Sequence, residues 1–309
     1  MNEQEIIAWL LAGDPSVRWQ VMRDLLGEED ENFTQERMRV STEGWGADLL
    51  SRQDISGRWA GQLYDHKWIS TTYTMQLLRR MGLDPGNPQA HKACQQLLEG
   101  GYKQGGALSF AKTVSHIDLG VNGLVLSILA YFGYPDQRVH TVLEFLLDQQ
   151  LPEGSWVPEP GQKRLQYIFA GTMLVLAGLC EYEQRYFTSS AQVIEAQLRG
   201  REFLMSHNLY KSTETMEIID QKMTRFSFPP RWHYDILTAL DYFQDCSAEK
   251  DGLLTDAIDL VKSKRRKDGR WNLQNRHPGR TYFEMEEVGK PSRWNTLRAL
   301  RVLKWWGEG

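Results

Sequence analysis

Apolar residues recur along the chain at the three- and four-residue spacing of helices, and no segment keeps the strict alternation of a strand. Five segments are apolar over most of their surface, which predicts inner helices that other helices cover: residues 70–81, 118–132, 167–180, 234–243 and 292–306. Amphipathic segments, suited to an outer layer, lie between them. This alternation predicts an all-α fold, a double-layered ring of about six helical hairpins.

A short glycine-containing element repeats between the predicted helices. Its four copies are Gly57-Arg58-Trp59, Gly106-Ala107-Leu108, Gly154-Ser155-Trp156 and Gly269-Arg270-Trp271. The first three copies are evenly spaced, and the last gap leaves room for one more copy. We place that degenerate copy near Asn208-Leu209-Tyr210, where the glycine is missing.

The best copy carries a family resemblance. Phe145-Leu146, then Gln150, then Gly154-Ser155-Trp156 resembles the QW repeat of squalene-hopene cyclases, in which Gln caps a helix end and Trp packs on it. Asp268-Gly269-Arg270-Trp271 is similar, with a basic residue at the Gln position. The stretches 228–235 and 291–296 look like a small bacterial branch of squalene-cyclase-like proteins.

The resemblance, over residues 45–306, implies the α/α toroid of terpenoid cyclases and protein prenyltransferases. We therefore expect one domain over residues 1–309, with an opening hairpin at 1–30 and the repeats at 45–306.

Composition narrows the class of protein. A net charge of −4 argues against a nucleic-acid partner, and the basic run 262–267 is interpreted as the solvated end of an outer helix. The three cysteines form no complete disulfide framework and have no zinc spacing. The acidic amino terminus is not a signal peptide, and we expect no transmembrane segment, since 167–180 is short enough to be a core helix. A cytoplasmic location fits these features.

The candidate site is the mouth where the inner helices begin. Helix amino termini that converge there favour an anionic ligand. The candidate catalytic residues are His233, Asp235, His116 and Asp118. The candidate substrate-binding residues are Lys67, Trp68, Tyr167, Arg231, Trp232, Arg280, Arg293, Trp294 and Asn295. No metal ligand and no cofactor is expected.

Each candidate also has a structural interpretation. His233 or Asp235 would be a general acid beside an anion-binding Arg231, or Asp235 would only cap the following helix while Trp232 packs between helices. Asp118 is likewise a good first-turn acid. The long segment 275–290 would be a lid that presents Arg276, His277 and Arg280 to a ligand, or a solvated loop.

The motifs of the family's known mechanisms are absent. The sequence has no Asp-x-Asp-Asp acid, no zinc ligands with convincing spacing and no Asp-Asp-x-x-Asp magnesium motif. Three hypotheses remain. The first, which the repeat favours, is a protein that binds or transforms an isoprenoid or similar apolar molecule in an aromatic cavity. The second is a carbohydrate- or polyanion-binding toroid, and the third is a non-catalytic helical scaffold; the sequence predicts neither the reaction nor the oligomeric state.

Overall fold

The computed structural model describes residues 2–110, 117–156, 165–186 and 190–307. Within these ranges the regular elements are helices, accompanied by isolated β-bridges, and the predicted all-α fold is confirmed. In chain order the helices are α1 (Glu3–Leu11), α2 (Pro15–Gln20), α3 (Asp30–Met38), α4 (Gly44–Ser51), α5 (Thr71–Met81), α6 (Pro88–Gly101), α7 (Leu119–Tyr131), α8 (Arg138–Asp148), α9 (Leu165–Tyr186), α10 (Ala191–Ser206), α11 (Ile236–Asp245), α12 (Thr255–Ser263) and α13 (Arg293–Trp306).

The five predicted inner helices correspond to α5, α7, α9, α11 and α13. The largest difference is in α9, which extends beyond the predicted end at residue 180 to Tyr186, because polar residues such as Glu181 and Gln184 continue it. The sequence pattern also missed α3, which has no buried residue and therefore no apolar face that would reveal it. The basic run does follow the end of an outer helix, since α12 ends at Ser263.

The repeat forms the same hydrogen bonds in three places. The indole Nε1 of Trp59, Trp156 and Trp271 donates to a carbonyl ten residues earlier, that of Leu49, Leu146 and Val261, at 2.7, 2.7 and 2.8 Å. Gln53 and Gln150 each bridge the glycine carbonyl of their own repeat and a carbonyl of the next outer helix. Arg265 takes the Gln position in the last copy and donates to Gly269. Each repeat thus fastens the end of an outer helix to the turn that follows it.

The glycine of the repeat is required by the backbone. Gly154 has a φ of +97°, which favours glycine, and a Cβ there would lie 2.3 Å from the carbonyl oxygen of Arg199. In the degenerate copy Asn208 and Leu209 take positive φ values instead, at +47° and +68°. The turn is therefore kept although its glycine is lost.

Each glycine-containing repeat is hydrogen-bonded to an inner helix. The backbone N–H of Trp59, Trp156 and Trp271 donates to the hydroxyl of Thr71, Thr172 and Thr296. In the second copy the N–H of Leu108 donates to the side chain of Asn122 at 2.6 Å. The first turns of α5, α7 and α13, and the third turn of α9, are thus tied to the repeats by one recurring contact.

Two inner helices pack at very short range. A Cβ on Gly123 of α7 would lie 2.4 Å from the Cα of Val175 in α9, so only glycine allows this approach. The length and composition of α9 would suffice to cross a membrane, but 67% of its most apolar stretch is buried within the fold. A buried core helix can have the same length and apolar composition as a membrane-spanning one.

The last helix meets the first ones. Arg301 of α13 donates to Gln20 and Asp24, which lie at the end of α2 and in the π-helical turn after it. Trp19 of α2 in turn donates to the carbonyl of Met81 at the end of α5, at 2.8 Å. The segment of α2 and the turn after it therefore lies between α13 and α5.

A disulfide joins Cys180 of α9 to Cys246 directly after α11, and Cys94 is buried and free. The sequence analysis did not predict this pair, because the two cysteines are 66 residues apart and belong to no recognised spacing.

Candidate functional site

The predicted mouth contains a compact aromatic cluster. Trp232 stacks on His233, with ring centroids 3.9 Å apart, and on Tyr167 at 5.9 Å. Trp68 packs against His233 at 6.1 Å, and the exposed Lys67 lies 5.8 Å from the rings of both tryptophans. The fold therefore brings these predicted binding residues together.

Arg231 belongs to the same cluster but is buried. Its guanidinium carbon lies 5.4 Å from the centre of the Trp68 ring, and its backbone carbonyl accepts a hydrogen bond from Gln76 in α5. One terminal nitrogen of Arg231 has no hydrogen-bond partner among the described residues. Burial lowers the pKa of Arg231 to about 10, so the side chain is still a cation at neutral pH.

The segment 275–290 covers this mouth. His277 stacks on His233 with centroids 3.7 Å apart, the carbonyl of Pro278 accepts from the indole of Trp68, and Tyr282 donates to the carbonyl of Ile69. Glu286, which lies in the same segment, accepts from the backbone N–H of Arg293 and so holds the segment at the start of α13. The mouth is therefore covered by packed protein.

Asp235 has a structural place at the start of α11. One carboxylate oxygen accepts from the N–H and hydroxyl of Thr238 and the other from the N–H and hydroxyl of Ser227, at 2.8–3.1 Å. Asp118 caps α7 in the same manner through the N–H of Val121, and its side chain is exposed. These contacts agree with the structural interpretation of both acids; their catalytic roles stay predictions. His116 lies outside the described residues.

Three other predicted binding residues do not join the cluster. Arg293 donates to the carbonyl of Trp9 and lies over its ring, so it contacts α1. Asn295 is fully buried and donates to the carbonyls of Phe226 and Asn272. Arg280 is exposed on the covering segment.

The histidine pair of the mouth is held uncharged. Burial lowers the pKa of His233 to about 3, assisted by the neighbouring His277, and burial lowers the pKa of His277 to about 4. Two stacked imidazolium rings would repel each other, so neutral rings suit this contact. At neutral pH neither imidazole carries a positive charge, and the Nε2 of His277 is already hydrogen-bonded to the hydroxyl of Ser227 at 3.0 Å.

A cavity of about 580 Å³ lies in the middle of the inner helices, on the inner side of the covered mouth. Its inner end is formed by Phe228, Arg231, His233 and Trp294. Its other end is lined by residues where inner helices finish, among them the exposed Asp245 and Ser247. The cavity thus opens at the carboxyl ends of the inner helices, whereas the sequence analysis expected access at their amino ends.

The two long walls of the cavity differ in chemistry. The wall that α9 contributes to the cavity is apolar and is formed by Ala170, Met173, Leu174 and Ala177. The remaining walls carry many charged side chains. Among the described residues that line the cavity, the arginines are Arg23, Arg37, Arg79, Arg80, Arg185, Arg231, Arg298 and Arg301, and the acids are Asp24, Glu181, Asp241 and Asp245. The lining therefore has more cations than acids.

Most of these charges neutralise one another. Asp241 accepts from Arg298 at 3.1 Å and from Arg301 at 2.6 and 2.9 Å, and the two arginines hold the pKa of this buried carboxyl below its usual value. Arg301 also pairs with Asp24, and Arg79 pairs with Glu181. These pairs are a structural network around the cavity.

Arg80 lies outside this network of pairs. Within the described part of the chain its guanidinium forms no ion pair within 4 Å and no hydrogen bond, and its Nε is buried without a partner. Burial, followed by the charges of Arg79 and Arg298, lowers its pKa to about 9, so it remains a cation at pH 7. The side chain keeps partial solvent exposure because it borders the cavity.

Sequence reasoning missed the charged lining. Arg298 and Arg301 are three residues apart and therefore project from one side of α13, among residues such as Leu297 and Val302 that are fully buried. Two arginines on the apolar side of a predicted inner helix are the signal that could have revealed them.

No protein-family model and no curated protein matches the chain. A solved structure of a protein from Actinoplanes is similar over 99% of this chain and 100% of its own length, with 14% identity and a TM-score of 0.50. This likeness supports the fold alone. Two variants of the type II terpene cyclase MstE from Scytonema, one in complex with merosterolic acid A and one with geranylgeranyl dihydroxybenzoate, are 12% identical over 89% of this chain and 97% of theirs. Their TM-score of 0.34 is too low to carry an argument about the cavity.

Proposed function

We propose that the protein holds one amphiphilic small molecule, an isoprenoid or a similar apolar chain with a polar end, in its central cavity. The observation that carries this proposal is the division of the cavity into an apolar wall on α9 and a charged opposite side. A volume of about 580 Å³ lies within the usual range of small-molecule sites.

The apolar part of the ligand has a defined place in this proposal. Leu174 and Ala177 are one turn apart on α9 and are only partly buried, because they border the cavity. The rings of Phe228 and Trp294, stacked with centroids 4.1 Å apart, close the inner end. An apolar chain that covers these surfaces would release water from them, which favours binding.

The charged lining bears on the alternatives. A neutral oligosaccharide needs exposed aromatic faces for stacking, but Trp19, Phe228 and Trp294, which line the cavity, are almost completely buried. A purely structural ring has no need for an open space of this size. A ligand with both an apolar and a polar part uses both walls.

The proposal is tested by isothermal titration calorimetry of the full chain with farnesol, a neutral tetrasaccharide and an oligouronate. We expect farnesol to bind, and Ala177→Phe, which narrows the cavity, to weaken its binding at least about tenfold. Ala191→Phe on the exposed start of α10 is the matched control and should leave the affinity unchanged. Binding of a saccharide but not of farnesol would overturn the proposal, as would equal binding by wild type and Ala177→Phe.

A further inference from the structure

We infer that Arg80 forms a subsite for an anionic group, a carboxylate or a phosphate, at the polar end of the ligand in the central cavity. This inference deepens the proposed function and rests on it for the apolar part of the ligand only. Binding of the anionic group itself can be measured without that part.

Arg80 lines the cavity from the carboxyl end of α5. It lies in the last turn of α5, where a basic side chain on the surface would interact with the free helix carbonyls. Arg80 instead borders the cavity, and no described carbonyl accepts a hydrogen bond from its side chain. The helix end does not explain the residue.

Among the described residues no carboxylate forms an ion pair with Arg80. The carboxyl groups that influence Arg80 most are those of Asp241 and Asp245, and neither forms an ion pair with it. Both oxygens of Asp241 already accept hydrogen bonds from Arg298 and Arg301. The Nε of Arg80 is buried without a partner and the side chain borders the cavity, so an anion placed there would gain a charge-assisted hydrogen bond.

Buried side-chain donors without a partner occur along the cavity lining. Among the described residues, those of Arg79 and Arg80 lie side by side at the end of α5, and those of Arg231 and Trp294 lie at the inner end. Gln244 is the one acceptor in the lining with the same property. A lining with mainly unused donors suits a ligand whose polar atoms are mainly acceptors, as the oxygens of carboxylates and phosphates are.

Asp245 limits how far towards solvent the anionic group of the ligand can lie. The residue is exposed at the solvent end, but its carboxyl faces the cavity lining, where desolvation, followed by the effect of Asp241, raises its pKa to about 6. An ionised Asp245 would repel a ligand anion placed beside it. The anionic group is therefore expected at Arg80, with Asp245 on its solvent side.

The experiment compares three ligands with the same chain and different ends, namely farnesol, farnesoic acid and farnesyl phosphate, in titrations of wild type, Arg80→Gln and Arg52→Gln. Arg52 is the matched control, because it is an arginine at the end of α4 that pairs with Asp48 on the surface. We expect the acid and the phosphate to bind wild type at least about tenfold more tightly than the alcohol, which is the gain of one charge-assisted contact. Arg80→Gln should reduce this preference to about threefold or less, and Arg52→Gln should retain it.

A second measurement separates ligand binding from a structural role. If Arg80 serves a ligand, Arg80→Gln removes an unpaired buried charge and the melting temperature of the free protein should stay the same or rise. A large loss of melting temperature in the free variant would overturn the inference. So would equal binding of the alcohol and the two anions, or an anion preference that survives Arg80→Gln.

Inorganic phosphate distinguishes failure of this inference from failure of the proposed function. If no farnesyl compound binds, but phosphate raises the melting temperature of wild type and not of Arg80→Gln, the anion subsite stands and the apolar-chain proposal fails. If farnesol binds and neither phosphate nor the two anionic ligands show dependence on Arg80, the subsite fails and the proposed function stands. If phosphate and all three farnesyl compounds leave wild type unaffected, both fail.

Discussion

The guanidinium of Arg301 donates two hydrogen bonds to one carboxylate oxygen of Asp241, from Nε at 2.9 Å and from Nη2 at 2.6 Å. Both side chains are almost completely buried, and they join α13 to α11. Because Arg298 shares the same carboxylate, Asp241 holds two cations in the wall of the cavity.

Removal of that carboxylate should be strongly destabilising. We expect Asp241→Ala to lower the free energy of unfolding by about 3–5 kcal/mol, since two buried guanidinium groups would lose their shared acid. Chemical denaturation with urea measures this change. Asp48→Ala is the control, because its ion pair with Arg52 is about 40% exposed and should contribute no more than about 1 kcal/mol. A loss at Asp241 as small as at Asp48 would contradict this view of the network.

Two glycines with nearly the same backbone angle separate conformational strain from steric conflict. Gly154 and Gly105 have φ values of +97° and +89°, but a Cβ at Gly105 meets nothing within 4 Å. Gly105→Ala should therefore cost only the strain of a positive φ, about 1–2 kcal/mol. Gly154→Ala should cost clearly more, since its Cβ would collide with the Arg199 carbonyl. Equal losses in urea denaturation would mean that the turn moves to accommodate the side chain.

The stacked histidines predict a sensitivity to acid. In the unfolded chain a histidine takes up its proton near pH 6.5, whereas His233 and His277 in the fold do so near pH 3 and 4. The unfolded state therefore binds more protons between these values. The contribution of the pair is complete above pH 6.5 and is lost as the pH falls towards 4.

The variant His277→Gln tests this pH dependence. Its free energy of unfolding should fall less than that of wild type between pH 7 and pH 4.5, while the exposed His66→Asn should follow wild type. Asp245 acts in the opposite direction, because its raised pKa favours the folded state as the pH falls from 6 towards 4. The comparison is therefore made in an Asp245→Asn background as well. An acid response identical in wild type and His277→Gln in both backgrounds would refute the assignment.

The disulfide should contribute to stability through the loop that it closes. With a sequence separation of 66 between the cysteines, the chain-entropy model gives about 4 kcal/mol. We expect a phosphine reductant to lower the melting temperature of wild type and to leave that of Cys246→Ser unchanged. Thiol titration under denaturing conditions provides the check, since wild type should show the single free thiol of Cys94 before reduction.

The helices could be predicted from the sequence, whereas the lining of the cavity could not. The apolar pattern locates α5, α7 and α13 to within about two residues, because their burial depends on neighbours at helical spacing. Lys67, Trp68 and Trp232 were also expected in one place, since all precede inner helices that begin on the same side. The local sequence pattern is sufficient to predict both the helix positions and the proximity of these three residues.

The charged network depends on partners that are distant in sequence. Asp241 meets Arg301 across 60 residues, and Arg301 meets Asp24 across 277. A single arginine on a helix resembles a solvated side chain until the tertiary contact is known. The sequence left open whether residues 275–290 form a lid or a solvated loop, and only the fold shows that His277 lies against His233.

The contact between Arg301 and Asp24 also has a consequence for how the chain acquires its structure. During synthesis Asp24 can meet Arg301 only after α13 has emerged, so the wall of the cavity that α13 forms is missing until then. Pairings over such distances slow folding and leave intermediates prone to aggregation. A chain interrupted before α13 should therefore be retained by chaperones or precipitate.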